Sequence, residues 1–358
     1  MKIAILGSRG IPNFYGGFEQ FAQYLSIGLA ENNHEVFVYN SSNHPYQENL
    51  YKGVNIIHCY DPENKIGTVG QFVYDFNCIL DSRKRNFDVI LQLGYTSSSV
   101  FNFLFKNVRV VTNMDGLEWK RSKYSKQVQF FLKFAEKLAV SYSDALIADS
   151  IGIKEYLDSK YNLDSKYIPY GADSNQQYDL NHLNDFSLNP FDYDILIARL
   201  EPENSVKEII EGFSMSATSR KLVVVGSTAT KLGQYLKNNI KDDRLIYLEY
   251  ISDINKLNSL RHYSNLYFHG HTVGGTNPSL LEAMASQALV CANDNIFNRS
   301  ILGRDAHYFM SSEQVSILVD SLVKEDYSQL ITANKNKIRE TFNWPTIISQ
   351  YENELLEV

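Results

Sequence analysis

The sequence predicts an α/β protein of two domains, each built on a parallel sheet covered by helices. The chain has 358 residues, which is more than a single hydrophobic core usually accommodates. Apolar runs alternate with helical patterns along its whole length, as in βαβ units. A polar stretch over 173–192 separates the two sets of runs. We therefore expect an N-terminal domain over 1–172, a connector over 173–192, a second domain over 193–340 and a C-terminal helix over 341–358 that returns to the first domain.

The apolar runs are short and rich in Val, Ile and Leu, which predicts buried strands. In the first half they cover 3–6, 36–39, 54–59, 89–93, 108–112 and 145–148, and in the second 195–198, 222–225, 245–248, 266–269 and 289–292. Because a helical pattern separates most neighbouring runs, we expect parallel sheets with helices on both faces.

Composition excludes several classes of protein. The net charge of −7 argues against general binding of nucleic acid. The three cysteines are widely spaced and show no metal-ligand pattern, so we expect a reducing compartment and no metal site. The chain starts with a predicted strand rather than a leader, and no apolar run reaches membrane-spanning length. These features favour a cytoplasmic location.

The segment 271–282 predicts an anion site in the second half. Asn277 suits the N-cap of a helix and Pro278 its first position. The amides of the preceding loop would face an anion, helped by the positive end of the helix dipole; they belong to Gly274, Gly275 and Thr276. Glu282 lies about one turn inside, where it can accept hydrogen bonds from a ribose. An ordinary loop before a capped helix gives the same pattern.

A second glycine loop follows the first predicted strand. It contains Gly7, Arg9 and Gly10 and ends at Gly16 and Gly17, which open a helix. A strand, a glycine loop and a helix begin many nucleotide-binding domains. The long interval before Gly16 is not the compact Gly-x-Gly-x-x-Gly pattern that a dinucleotide-dependent oxidoreductase requires.

Motifs in a fixed order resemble GT-B glycosyltransferases of family 4. They are GSRGIPNFYGGFE at 7–19, DGLEWKR at 115–121, ARLEPEN at 198–204 and GGTNP at 274–278, followed by LLEAM. More narrowly, they are similar to a bacterial subgroup that includes rhamnosyltransferases of polysaccharide assembly. The resemblance covers essentially the whole chain.

The resemblance implies two Rossmann-like domains whose parallel sheets face a central cleft. It implies a retaining transferase that needs no metal or cofactor and uses a sugar nucleotide, such as dTDP-rhamnose or a UDP-sugar, as substrate. The donor would lie on the C-terminal domain, and the acceptor, expected to be a lipid-diphosphate-linked saccharide, on the N-terminal domain. A nonhydrolysing sugar-nucleotide epimerase shares this architecture, and a catalytically inactive nucleotide-sugar-binding protein is the alternative outside enzymes.

The resemblance also assigns residues. Arg199 matches the arginine that binds the donor diphosphate, and Glu282 matches the glutamate at the ribose. Further diphosphate contacts are expected at Arg9, Gly16, Gly17, Gly274, Gly275, Thr276 and Asn277.

Three positions depart from the wider family pattern. Asn204 stands where a lysine is usual, and Gly274 stands where the first of two glutamates, eight positions apart, is usual. Both Asn204 and His271 remain candidate donor contacts. A histidine that touches the reacting sugar in many members is replaced at 114 or 115, so Asp115, with Glu118, is the leading candidate for catalysis. An Asp-Gly turn explains Asp115 equally well.

A basic segment at 120–137 carries lysines and an arginine interleaved with aromatic residues. Such a segment on an acidic protein suggests contact with an anionic membrane surface. The alternative is a helix that packs its aromatic side chains inward and leaves its lysines in water.

Overall fold

A computed structural model describes residues 1–14, 16–121 and 124–357. The chain divides into two compact units. Unit 1 comprises Met1–Tyr170 together with Trp344–Val358, and unit 2 comprises Gly171–Asn343. No helix in the described residues is both long enough and apolar enough to cross a membrane.

Unit 1 contains an eight-stranded sheet in the order β3-β4-β2-β1-β5-β6-β7-β8. All neighbours pair in parallel except β3 with β4. The strands are β1 Lys2–Leu6, β2 Glu35–Ser41, β3 Leu50–Tyr51, β4 Val54–Cys59, β5 Val89–Leu93, β6 Arg109–Asn113, β7 Ala145–Ala148 and β8 Lys166–Tyr167. The helices are α1 Gly17–Glu31, α2 Glu63–Ile66, α3 Val69–Ser82, α4 Lys126–Tyr142 and α5 Ile151–Tyr161, with 3₁₀ turns at Ser99–Leu104 and Glu118–Lys120.

Unit 2 contains a six-stranded, fully parallel sheet in the order β11-β10-β9-β12-β13-β14. Its strands are β9 Tyr193–Ile197, β10 Lys221–Val225, β11 Leu245–Leu248, β12 Tyr267–His269, β13 Val290–Asn293 and β14 His307–Phe309. Its helices are α6 Val206–Met215, α7 Lys231–Asn239, α8 Ile254–His262, α9 Pro278–Ala285, α10 Ile296–Leu302, α11 Ser312–Ser321 and α12 Ser328–Glu340. Further 3₁₀ turns lie at Leu180–Phe186, Pro202–Asn204 and Lys324–Tyr327.

Every strand predicted from an apolar run forms, so the prediction of parallel α/β sheets is confirmed. The three strands that were not predicted, β3, β8 and β14, lie at sheet edges and have two or three residues each. So short a segment shows no periodicity, and its pairing depends on the neighbouring strand.

The polar segment 173–192 lies within unit 2. Its 3₁₀ turn buries Leu183. The Asp179 amide donates a hydrogen bond to Ser259 Oγ on α8 at 3.1 Å. The packing of this segment could not be predicted from its sequence, which is rich in Asn and Asp. The packing depends on a few tertiary contacts and not on a local pattern.

Helix α1 buries one face, on which Phe21, Leu25 and Leu29 are fully buried. The C-terminal helix α13, Trp344–Leu356, packs against α1 within unit 1. The rings of Tyr24 and Trp344 stack with their centroids 4.4 Å apart.

Helix α13 also makes a buried polar contact with the end of β6. Asn113 Nδ2 donates to the Tyr351 hydroxyl at 2.7 Å, and Asn113 Oδ1 accepts the Asp115 amide at 2.8 Å. Both Asn113 and Tyr351 are fully buried. The backbone of the candidate catalytic residue is therefore held through Asn113 by the last helix of the chain.

Tyr351→Phe tests this contact. It removes the acceptor of a buried amide, so we expect unit 1 to lose about 1–2 kcal/mol of stability. Both tryptophans, Trp119 and Trp344, lie in unit 1, so urea unfolding followed by tryptophan fluorescence reports on this unit. Tyr142→Phe on the exposed side of α4 is the matched control. Equal stability of the two variants would show that the contact contributes nothing.

Candidate functional site

Because all strands of unit 2 are parallel, their carboxyl ends meet at one edge of the sheet, where α/β proteins bind ligands. Arg199 follows β9 at this edge, and His271 follows β12. The glycine loop leads from there into α9. Parallel pairing thus brings segments that are far apart in sequence to a common edge.

The glycine loop has the local structure that the sequence predicts. Asn277 is the N-cap of α9 and its side chain accepts the Ser279 amide at 2.9 Å, while Pro278 takes the first helical position. Gly274 is buried with φ +123°, a conformation that favours glycine. Within the described residues, the Gly274 and Gly275 amides donate no hydrogen bond. Donors at a helix N-terminus form an anion-binding arrangement.

Arg199 is exposed at the end of β9. In the described part of the chain no carboxylate forms an ion pair with its guanidinium, in contrast to Arg220 and Arg244 of the same unit. Its backbone is fixed, because its carbonyl accepts the Asn204 carboxamide at 2.8 Å and the Glu201 amide at 2.7 Å. Arg199 therefore combines an anchored backbone with an available positive charge.

Asn204 is buried and joins Arg199 to His271. The Arg199 carbonyl can only accept, so the Asn204 Nδ2 atom faces it and Oδ1 faces His271 Nδ1, 2.9 Å away. The His271 Nδ1 atom must then carry a hydrogen. A Cβ on Gly274 would lie 3.1 Å from His271 Nε2, so this nitrogen faces the glycine loop.

The backbones of Gly270 and Asn204 lie in direct contact. A Cβ on Gly270 would lie 1.9 Å from the Asn204 carbonyl oxygen, a contact no side chain can make. Gly270 and Asn204 therefore pass each other directly. His269, before Gly270, is fully buried, and burial lowers its pKa to about 3, with a smaller contribution from His271.

Glu282 forms a salt bridge with Arg261, at 2.6 Å between Oε2 and Nη2. Arg261 lies on α8 with only 2% of its side chain exposed, and it also donates to Asn258 Oδ1 at 3.0 Å. The arginine orients the carboxylate predicted at the ribose. The role of Arg261 could not be predicted from the sequence, because nothing in the α8 pattern distinguishes it from a surface arginine.

The glycine loop of unit 1 differs in one respect from the expectation for a diphosphate site. Gly16 is exposed and is the N-cap of α1, and Gly17 begins that helix. The Arg9 guanidinium forms a bidentate ion pair with Glu63, with Nη2 2.8 Å from Oε1 and Nε 3.1 Å from Oε2. Arg9 therefore already has a carboxylate partner within unit 1.

Asp115 and Glu118 lie after β6 in different environments. Asp115 is half-buried in the left-handed region, at φ +50°, which costs energy for any residue except glycine but is tolerated best by Asn and Asp. Glu118 Oε1 lies 2.6 Å from Arg121 Nη2, and both side chains are mostly buried. The Glu118 carboxylate thus holds Arg121, which the sequence assigns to the basic segment.

Unit 1 also contains buried carboxylates that sequence analysis missed. Asp61, just after β4, accepts Ser41 Oγ at 2.6 Å. Asp75, on α3, accepts Ser97 Oγ at 2.6 Å. Burial raises the pKa of Asp75 to about 7; the charge of Asp61 acts in the same direction, and the Ser97 hydrogen bond and Arg9 oppose it. Nothing in the sequence indicated either carboxylate, because isolated Asp and Ser residues belong to no motif.

No cluster of His, Cys, Asp or Glu suited to a metal ion occurs among the described residues.

Asp75→Asn tests this environment. Between about pH 4 and pH 7 the folded protein keeps a proton on Asp75 that the unfolded chain has lost, so wild-type stability falls as pH rises. Asparagine does not titrate, so the variant does not lose this stability as the pH rises. We expect its stability relative to wild type to increase across that window by as much as about 4 kcal/mol.

Urea unfolding followed by tryptophan fluorescence, repeated at several pH values, measures the difference. Glu155→Gln, at an exposed position of α5, is the control for removing a carboxylate from unit 1. A constant difference between the Asp75 variant and wild type would contradict the raised pKa.

Similar proteins of known structure identify the fold of this chain. Residues 1–173 match a family model described as a domain of unknown function, DUF1972. None of the curated proteins compared matches the chain.

Solved structures match over the full length. They include sucrose-phosphate synthase from Thermosynechococcus elongatus, with 14% identity, coverage of 99% of this chain and 98% of that chain, and a TM-score of 0.79. HepE of Anabaena, in complex with UDP and glucose, has 15% identity, 100% coverage of both chains and a TM-score of 0.77. A glycosyltransferase from Rickettsia africae has 13% identity, 99% coverage of both chains and a TM-score of 0.73. The chain thus has the GT-B fold of these proteins.

Proposed function

We propose that the protein is a glycosyltransferase of family 4 that transfers a sugar from a nucleoside-diphosphate donor to a saccharide, with retention of configuration and without a metal. The observation that carries the proposal is the anion site of unit 2. It combines the Arg199 guanidinium after β9, which forms no ion pair among the described residues, with the Gly274 and Gly275 amides before α9. The relative HepE has been solved with UDP and with UDP-glucose, which supports a nucleotide-sugar donor.

The donor diphosphate is the group that this site suits. Arg199 would bind its oxygens bidentately, and the loop amides at the positive end of α9 would bind the remaining charge. Charge develops on the diphosphate as the sugar leaves, so fixed donors that stabilise it lower the barrier. Glu282, oriented by Arg261, would accept hydrogen bonds from the ribose hydroxyls.

The shape of the loop favours a donor sugar with few hydroxyls near residue 274. Family 4 enzymes usually place a glutamate there, whereas here Gly274 has no side chain and a Cβ would lie 3.1 Å from His271 Nε2. Losing the carboxylate removes an acceptor for sugar hydroxyls, which suits a deoxysugar. We infer L-rhamnose, carried by dTDP or UDP, with His271 as a donor contact that Asn204 positions.

Unit 1 would bind the acceptor. Asp115, held by Asn113, is the group that we assign to orienting the acceptor hydroxyl or stabilising positive charge on the reacting sugar. Glu118, bound to Arg121, supports this loop. The polar groups Asp61 and Asp75 lie in the same unit. The acceptor we propose is a lipid-diphosphate-linked saccharide used in cell-surface polysaccharide synthesis.

Arg199→Ala tests the donor site. Loss of a charge-assisted hydrogen bond costs about 1.5–3 kcal/mol, so we expect the Kd for UDP or dTDP to rise about 10- to 150-fold. Isothermal titration calorimetry with both nucleotides measures the effect. Arg304→Ala is the control. Arg304 is exposed and precedes β14, so it lies at the amino-terminal ends of the strands, away from the carboxyl ends where Arg199 lies. Unchanged affinity in the Arg199 variant would remove this residue from the site.

Metal independence gives a second test. Since Arg199 and the α9 N-terminus would neutralise the leaving diphosphate, we expect transfer to continue at an unchanged rate in excess EDTA. Release of the nucleoside diphosphate, measured with and without the chelator, provides the readout. Activity that EDTA abolishes and Mg²⁺ or Mn²⁺ restores would contradict this mechanism.

A further inference from the structure

Helix α4 presents an unusual outward face. Its exposed residues include Lys126, Phe130, Lys133, Phe134 and Lys137. These positions fall on one side of an α-helix, within an arc of about 100°, because each residue advances the helix by about 100°. Phe130 is 77% exposed and Phe134 is 50% exposed. Two large aromatic side chains therefore lie in solvent between lysines.

The opposite face of α4 accounts for its packing without these residues. Leu132, Ala135 and Ala139 are buried there. Phe131 packs on Phe72 of α3, with the ring centroids 5.7 Å apart. The hypothesis that the helix turns its aromatic side chains inward is therefore correct for Phe131 but wrong for Phe130 and Phe134.

The charge on the outward face has a single sign. Glu136 is the only acidic residue within α4, and it is buried. Its carboxylate accepts hydrogen bonds from Tyr156, Lys160, Tyr161 and, at 2.9 Å, Trp119 Nε1. The exposed charges of α4 are consequently all positive, although the whole chain carries a net charge of −7.

We propose that the outward face of α4, defined by these lysines and phenylalanines, binds the surface of an anionic lipid bilayer. Phenylalanine side chains enter the boundary between headgroups and acyl chains, while lysines extend their amines toward anionic headgroups. Insertion into a bilayer would remove the apolar surface of Phe130 and Phe134 from water. The local positive charge favours an anionic surface over a neutral apolar partner.

Vesicle binding by the full-length protein tests the charged half of this face. We expect co-sedimentation with phosphatidylcholine vesicles containing about 30% phosphatidylglycerol and little with pure phosphatidylcholine. Replacing both Lys126 and Lys137 with glutamate should weaken binding at least about tenfold, because each lysine contributes near an anionic surface. Lys133 is left unchanged because its Nζ lies 4.5 Å from the Trp119 ring centroid. The control replaces Lys237 and Lys241, both exposed in unit 2, with glutamate.

A second variant tests the apolar half. Replacing Phe130 and Phe134 with serine should also weaken vesicle binding at least about tenfold. Raising the salt concentration should weaken wild type toward the level of the lysine variant, because salt screens the charges. The matched control replaces Met310 and Ile317, which are exposed in unit 2, with serine.

The outcomes separate this proposal from the donor site. UDP affinity should be unchanged in both α4 variants, so loss of vesicle binding with normal nucleotide binding supports the proposal. Equal binding by wild type, variants and controls would overturn it. It would also be overturned if wild type were a dimer that the phenylalanine variant dissociates, because the face would then bind a second copy of the chain. Lys123, part of the basic segment predicted from sequence, lies outside the described residues.

Discussion

Parallel pairing of the strands is the constraint on which the arrangement of this protein depends. In each unit it aligns the carboxyl ends of the strands, so residues with no sequence relationship meet at one edge. Arg199, Asn204 and His271 come together in this way. The cost is that backbone segments must pass very close to each other at the strand ends. Position 270 therefore requires glycine, since a Cβ there would lie 1.9 Å from the Asn204 carbonyl oxygen.

Local chemistry explains what the sequence could predict. The N-cap Asn277 and the helix-starting Pro278 act within one turn of chain, so their roles are visible in the sequence and appear in the structure. Apolar runs predicted most of the strands for the same reason. Contacts between distant segments were not predictable: Arg9 pairs with Glu63, and Arg261 with Glu282, because each pair is brought together only by the fold.

Pairing of charges separates structural from functional candidates among the polar residues. The carboxylates of Glu63, Glu118 and Glu136 each bind a cation, and a buried carboxylate without such partners would be costly. The Arg199 guanidinium has no carboxylate partner in the described residues. Arg199 thus has a fixed backbone and a positive charge that is available to a ligand. Arg9 differs, because its guanidinium is already paired with Glu63.

The replacement of a lysine by Asn204 has a physical consequence for the proposed donor site. The Asn204 carboxamide donates to the Arg199 carbonyl and accepts from His271 Nδ1, and it is uncharged, so it contributes order rather than charge. The positive potential available to a diphosphate then comes from Arg199 and from the N-terminus of α9, with His271 added only when its ring is protonated. Since a helix terminus carries about half an elementary charge, Arg199 must provide most of the electrostatic attraction. A site with a single fixed cation depends more strongly on that residue than one in which two cations share the diphosphate.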